Sequence, residues 1–215
     1  MEKTINGHTK REAMELAFKL GFASEFNLFS CSQSTFHAIT TVLGYRNAQL
    51  FKALSPFENG GADTGLNSCG AFSGSLAVFG LFFGRDYDLG QRVQINLTGP
   101  RLGEKLLDRF HEAYGSAICK DIQTRCMGFS TRFLKGAKFD QAAFEKFEAA
   151  GGHRIVAPTV VGRAAYWAVD IIWDELLADQ DLSGILSKED AEAELAKLPK
   201  GYRRWVSHDI SLPPA

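Results

Sequence analysis

The sequence predicts an all-α protein, an irregular multi-helix bundle forming a single domain, and three observations carry that reading. Apolar residues recur at helical spacing along most of the chain. Strand signals are sparse, and only Arg92–Leu97 alternates. Glycine, proline and small polar residues punctuate the periodic runs where helices start and stop. The 215 residues, 45% apolar and 23% charged, suffice for one well-buried core and have a globular composition.

Each element follows in order. A first helix is predicted after Thr9, with Met14, Phe18 and Phe22 on one side. A second runs from about Cys31 to Leu43 and stops at Gly44, and Ser30 with Gln33 reads as its capping box. A short third helix covers about Ala48 to Leu54 and closes before Pro56. The loop Asn59-Gly60-Gly61-Ala62-Asp63-Thr64-Gly65 then feeds a helix from about Ser68 to Phe83, where Gly70, Gly74 and Ala77 form a narrow stripe. Glycine inside a helix costs about 1 kcal/mol relative to alanine. Two on one stripe point either to close helix packing or to a backbone or cofactor approaching closely. Arg101 to Tyr114 is amphipathic, and Ser116 is placed to cap a short helix through Cys119 and Ile122. Phe139, Ala143, Phe144 and Phe147 mark another helix, ended by Gly151-Gly152. Pro158 suits the first turn of a long helix to about Leu177, with Val161, Ala165, Ala168, Ile172 and Leu176 inward. A peripheral helix at about Lys188–Leu198 completes the domain, residues 1–198. Residues 199–215 read as an irregular tail that Tyr202 and Trp205 could pin to the surface.

The net charge of -1 gives no electrostatic reason to expect nucleic acid or an anionic membrane as partner. The thirteen apolar-rich residues Ala71–Phe83 fall short of the roughly twenty that span a bilayer and read as a core helix. The first residues lack the apolar core of a secretory signal, so a cytoplasmic location is expected. In a reducing compartment, four cysteines suggest metal binding or redox chemistry before structural disulfides.

Three of them share a position. Cys31 follows Ser30, Cys69 follows Ser68, and Cys119 lies three residues after Ser116, each in the first turn of a predicted helix. Unpaired N–H groups and the helix dipole favour negative charge there, which lowers a thiol's pKa and yields the thiolate that attacks or ligates. Cys126 is seven residues beyond Cys119, about 10 Å along an unbroken helix. It either joins the others through a chain turn or is a bystander. No Cys-x-x-Cys pair occurs, which argues against a zinc ribbon or a thioredoxin-type dithiol, and without Cys-x-x-Cys-His there is no covalent haem.

Cys31, Cys69-Gly70-Ala71-Phe72-Ser73-Gly74 and Cys119 together resemble the pattern of the C_GCAxxG_C_C family of redox-active proteins. The resemblance runs from about Thr9 to Glu175 and includes Gly151-Gly152-His153 and Val160-Val161-Gly162-Arg163. It is also similar to the non-haem part of split-Soret cytochromes, whose cysteines hold a two-iron, two-sulfur cluster. That likeness implies ligation by Cys31, Cys69 and Cys119. The family's fourth cysteine usually precedes the proline that opens the last long helix, and Ala157 stands there. Cys126, His153 or another group would then have to replace it; otherwise an iron site stays open or this member holds no cluster.

Three functions follow as expectations. The first is an iron–sulfur electron-transfer protein or accessory subunit with an undefined redox partner, its cluster held by Cys31, Cys69, Cys119 and Cys126. The second is a thiol–disulfide oxidoreductase with Cys69 as the attacking thiolate. The third is a structural zinc site or a pure interaction role. The seventeen phenylalanines would cover either a large core or a homodimer interface.

Overall fold

The computed structural model describes residues 3–85 and 97–178. Within them lie eight α-helices: α1 (Lys10–Leu28), α2 (Cys31–Val42), α3 (Ala48–Ala53), α4 (Gly70–Phe83), α5 (Thr98–Tyr114), α6 (Cys119–Met127), α7 (Gln141–Ala149) and α8 (Ala157–Ala178). A two-stranded antiparallel hairpin, β1 (Leu134–Lys135) with β2 (Lys138–Phe139), is the one sheet among the described residues. The expected all-α architecture is the one found. The helix expected at 188–198, the tail after it, and all but Leu97 of the alternating stretch lie outside the described residues.

α1 starts where the sequence places it. The Thr9 hydroxyl accepts the Glu12 N–H at 3.4 Å and the Glu12 carboxylate accepts the Thr9 N–H at 2.9 Å. Such a reciprocal cap contributes about 1 kcal/mol. The cap expected at Ser30 and Gln33 does not form, because Gln33 Nε2 donates to the Phe51 carbonyl at 2.9 Å and ties α2 to α3. Ser116 does not cap α6 either. Its hydroxyl accepts the Ile118 N–H at 3.0 Å and donates to Asp121 at 2.8 Å, shaping a turn that delays the helix to Cys119. α5 begins three residues before the expected start, since Pro100 sits in its first turn, where no N–H is needed. Phe139 belongs to the hairpin, and Asp140 caps α7 through the Ala143 N–H at 3.0 Å.

The core is built on α1 lying along α8, with α2 and α4 packed over them. A Cβ on Gly21 would stand 3.1 Å from the Val161 carbonyl oxygen and 3.2 Å from Gly162 Cα. Glycine at this crossing therefore lets the two backbones approach. Phe110 of α5 is fully buried, its ring 5.4 Å from Phe72, 5.8 Å from Tyr114 and 5.6 Å from Trp167. Truncating such a ring typically costs about 3–5 kcal/mol.

The residues expected to face inward on α8 (Val161, Ala165, Ala168, Ile172 and Leu176) are all buried. With the turn before it, the run Gly152–Ala178 is long and apolar enough to cross a membrane by length and composition alone. Half of its most apolar window is buried in the protein, as in a core helix. Asp170 and Asp174 do more than face solvent. Lys10 reaches them at 3.0 and 3.5 Å and Arg109 reaches Asp170 at 3.7 Å, linking α1 and α5 to α8. These pairs are partly exposed and contribute about 0–1 kcal/mol each.

Candidate functional site

Two loops carry two of the cysteines to one place. Ser68 and Ile118 form an antiparallel bridge. Beside it the Cys69 N–H donates to the Ala117 carbonyl at 2.8 Å, and the Cys119 N–H to the Asn67 carbonyl at 2.9 Å. The starts of α4 and α6 are thereby zipped together, and the start of α2 packs across them. Cys31, Cys69 and Cys119 line one cavity of about 50 Å³, closed mainly by Ile122, Phe147, Val160 and Val161. All three are free thiols.

Glycine makes the convergence possible. A Cβ on Gly70 would overlap Cys31 Sγ and stand 3.0 Å from both the Phe57 carbonyl oxygen and the Ser32 nitrogen. A Cβ on Gly74 would overlap the Ser32 carbonyl. The stripe expected on α4 thus serves close packing: Gly70 and Gly74 let the α2 backbone approach, and Gly70 leaves space for the Cys31 thiol. Gly60 does the same beneath Cys119, where a Cβ would meet Cys119 Cβ at 2.8 Å and the Gly65 backbone at 2.7 Å. Its φ of +73° is a second reason for glycine. The glycine-rich loop is therefore the floor under Cys119.

Polar contacts hold that floor. Asn59, at φ +42°, accepts a hydrogen bond from Gln123 Nε2 at 2.8 Å and one from the Cys119 thiol at 3.5 Å. Gln123 Nε2 also lies 3.4 Å from Cys119 Sγ, while its carbonyl accepts from the Thr131 N–H at 2.6 Å and hydroxyl at 3.1 Å. Gln123 is one helical turn after Cys119, so its spacing was a readable signal. Asn59 ahead of two glycines was a weaker one.

The expected lowering of the thiol pKa values is corrected by the structure. Burial takes the charged form out of water, raising Cys31 well above the ordinary thiol value, Cys69 to about 12, and Cys119 likewise upward. Each thiol also feels another of the three, which adds to the rise. The Ala71 and Phe72 N–H groups at the start of α4 pull Cys69 down, as the helix-start argument requires, but burial outweighs them.

Glu25 was not foreseen. It sits on the buried face of α1, 2% exposed, and its Oε2 has no hydrogen-bond partner among the described residues. Burial raises its pKa from 4.5 to about 8, with Ser34 partly offsetting the rise. A lone carboxylate in the run Leu20-Gly21-Phe22-Ala23-Ser24-Glu25 was the available signal. A folded-state pKa above the unfolded one means stability that is full at low pH and lost as pH rises, here from about 4.5 to about 8. The stability advantage of Glu25→Gln over the parent should therefore grow by about 1.4 kcal/mol per pH unit across that window. Urea unfolding at pH 5 and pH 7.5 measures it, and an unchanged difference would contradict a Glu25 held neutral by burial.

The remaining expected site residues separate. Cys126 is exposed near the end of the unbroken α6 and does not line the cavity of the other three. His153 lies in a single π-helical turn, Gly152–Val156, 7% exposed. Its Nδ1 is hydrogen-bonded to Glu148 and its ring stacks on Phe29 at 4.4 Å. Ala157, at the place of the family's fourth cysteine, does line the thiol cavity. Alkylation should show this division: in native protein Cys126 reacts first, and the three cavity thiols follow at least about tenfold more slowly. Peptide mapping after a timed iodoacetamide pulse reads the order.

The family model described as "Putative redox-active protein (C_GCAxxG_C_C)" matches residues 29–171, more than half of the chain. No curated protein and no solved structure matches it.

Proposed function

The chain belongs to the C_GCAxxG_C_C family, and on that premise we propose that Cys31, Cys69 and Cys119 hold an iron–sulfur cluster of the two-iron, two-sulfur kind for electron transfer. The observation carrying this reading is that thiols from three separate helix starts line one small, apolar-walled cavity. Thiolates are soft donors suited to iron–sulfur clusters and zinc. Among the described residues no group of three or more His, Cys, Asp or Glu is placed to hold a single metal ion. Zinc requires thiolates converging at about 2.3 Å on one point, whereas a cluster is ligated around a larger body. The iron, sulfide and zinc assays below decide between a cluster and a structural zinc site.

When bound, the cluster would supply one-electron transfer. The protein's own groups set its surroundings. Gln123 Nε2 donates toward Cys119 Sγ, the kind of contact that tunes a thiolate ligand. Ile122, Val160 and Val161 exclude water. Because burial keeps all three as thiols, binding must expel their protons, and affinity rises with pH. Three cysteines of the four usual for such clusters line the cavity, and Ala157 lines it at the place of the family's fourth.

The test is anaerobic purification, with iron and sulfide supplied during expression, followed by the visible spectrum and iron, sulfide and zinc assays. Charge-transfer bands with equal iron and sulfide are expected. Colourless, iron-free protein would overturn the reading. A cavity thiol that alkylates faster than Cys126 would instead favour thiol–disulfide chemistry.

A further inference from the structure

Beside the thiol cavity, and sharing Cys31, Cys119 and Phe147 with it, lies a second cavity of about 180 Å³. It exceeds the roughly 150 Å³ void that admits a benzene ring. One side is aromatic: Phe29, Phe133, Phe139, Phe144 and Phe147. The Phe133 ring is their hub, 5.3 Å from Phe147, 5.6 Å from Phe144 and 6.4 Å from Phe139. The other side carries the carboxyl groups of Glu25, Glu58 and Asp63. Among the described residues, no lysine or arginine lines it. The imidazole of His153 is held by Glu148, and burial lowers its pKa.

Phenylalanines alone would be a small satellite core, and half-buried carboxylates alone a solvated rim. Neither explains Glu25, 2% exposed, lining the same cavity with no partner for Oε2 among the described residues. Leaving a buried polar group unsatisfied costs about 1–3 kcal/mol, and more when it is charged. A ligand that pairs with it removes that cost. Aromatic faces carry negative charge density and attract cations, and rings grouped around a small void are the recurring way to hold an ammonium group.

We propose that this cavity binds a small organic cation, an amine or quaternary ammonium compound, between the phenylalanine rings and the carboxyl groups of Glu25, Glu58 and Asp63. This goes beyond the cluster reading and does not depend on it. The bound charge lies beside Cys31 and Cys119, the two thiols that line both cavities. Phe29 and Phe139, 49% and 54% exposed, give the aromatic side its access to solvent.

Isothermal titration of the full chain with choline, and with its uncharged isostere 3,3-dimethyl-1-butanol, tests the proposal. Choline should bind at least about tenfold more tightly than the isostere. The double variant Glu58→Gln/Asp63→Asn, changed at half-buried positions, should lose at least about tenfold in choline affinity while its melting curve is retained. Phe144→Ala should weaken choline binding as well. Equal affinity for choline and isostere, no binding of choline, or undiminished binding by the double variant would each overturn the proposal. Iron is assayed on the same samples. Choline binding by iron-free protein would uphold this inference while removing the cluster, and iron-loaded protein indifferent to choline would do the reverse.

Discussion

Replacing Ala157 with cysteine should raise the iron bound per chain and extend the lifetime of the cluster in air by about tenfold or more. The expectation follows from position. Ala157 is the first residue of α8, and it lines the cavity that Cys31, Cys69 and Cys119 share. A cysteine there adds one sulfur to a methyl already in the wall, and a three-thiolate set becomes four. Ala157→Ser is the control: it adds an atom of similar placement but offers a hard oxygen that a soft iron–sulfur site does not select. Iron and sulfide assays with the visible spectrum of all three proteins decide the matter. If Ala157→Cys binds no more iron than its parent, the cavity is not a cluster site lacking its fourth ligand. Cys126→Ser should leave iron content unchanged, because Cys126 is outside the cavity.

How far the sequence reveals this site depends on which physical signal each residue leaves. Helix starts are local, so placing Cys31, Cys69 and Cys119 at helix starts needed only neighbouring residues: Cys31 and Cys119 open α2 and α6, while Cys69 stands just before α4 rather than in its first turn. Caps were less legible. Whether Ser30 caps α2 depends on Phe51, twenty-one residues away, offering its carbonyl to Gln33. The thiol pKa values were read in the wrong direction for a related reason. A helix start is a local feature, but the burial that outweighs it comes from Val160 and Val161 on α8 and Phe147 on α7, remote in sequence. Glu25 and Asn59 gained their roles only when α1 and the loop 59–65 met the start of α2. The hairpin of residues 134–139 was missed because each strand has two residues, too few to show alternation.

The two glycines Gly70 and Gly80 of α4 should respond to alanine with opposite signs. In isolation each substitution adds helix propensity, about 1 kcal/mol of stabilisation. At Gly80 no described residue lies within 4 Å of the added Cβ, so that gain should appear nearly whole as a higher melting temperature. At Gly70 the same Cβ overlaps Cys31 Sγ and presses on the Phe57 and Ser32 backbones at 3.0 Å. Backbone on that side cannot yield as a flexible side chain would, and overpacking typically costs about 1–3 kcal/mol. The net expectation for Gly70→Ala is a lower melting temperature together with loss of bound iron, since Cys31 is displaced from the cavity. Cys31→Ala in the Gly70→Ala background separates the two causes. If the clash with the thiol dominates, removing the sulfur should restore part of the stability without restoring iron; if the backbone contacts dominate, stability should stay low. Gly70→Ala protein as stable as its parent, with full iron, would mean that α4 can shift away from α2 and that the glycine is not there to make room for the thiol.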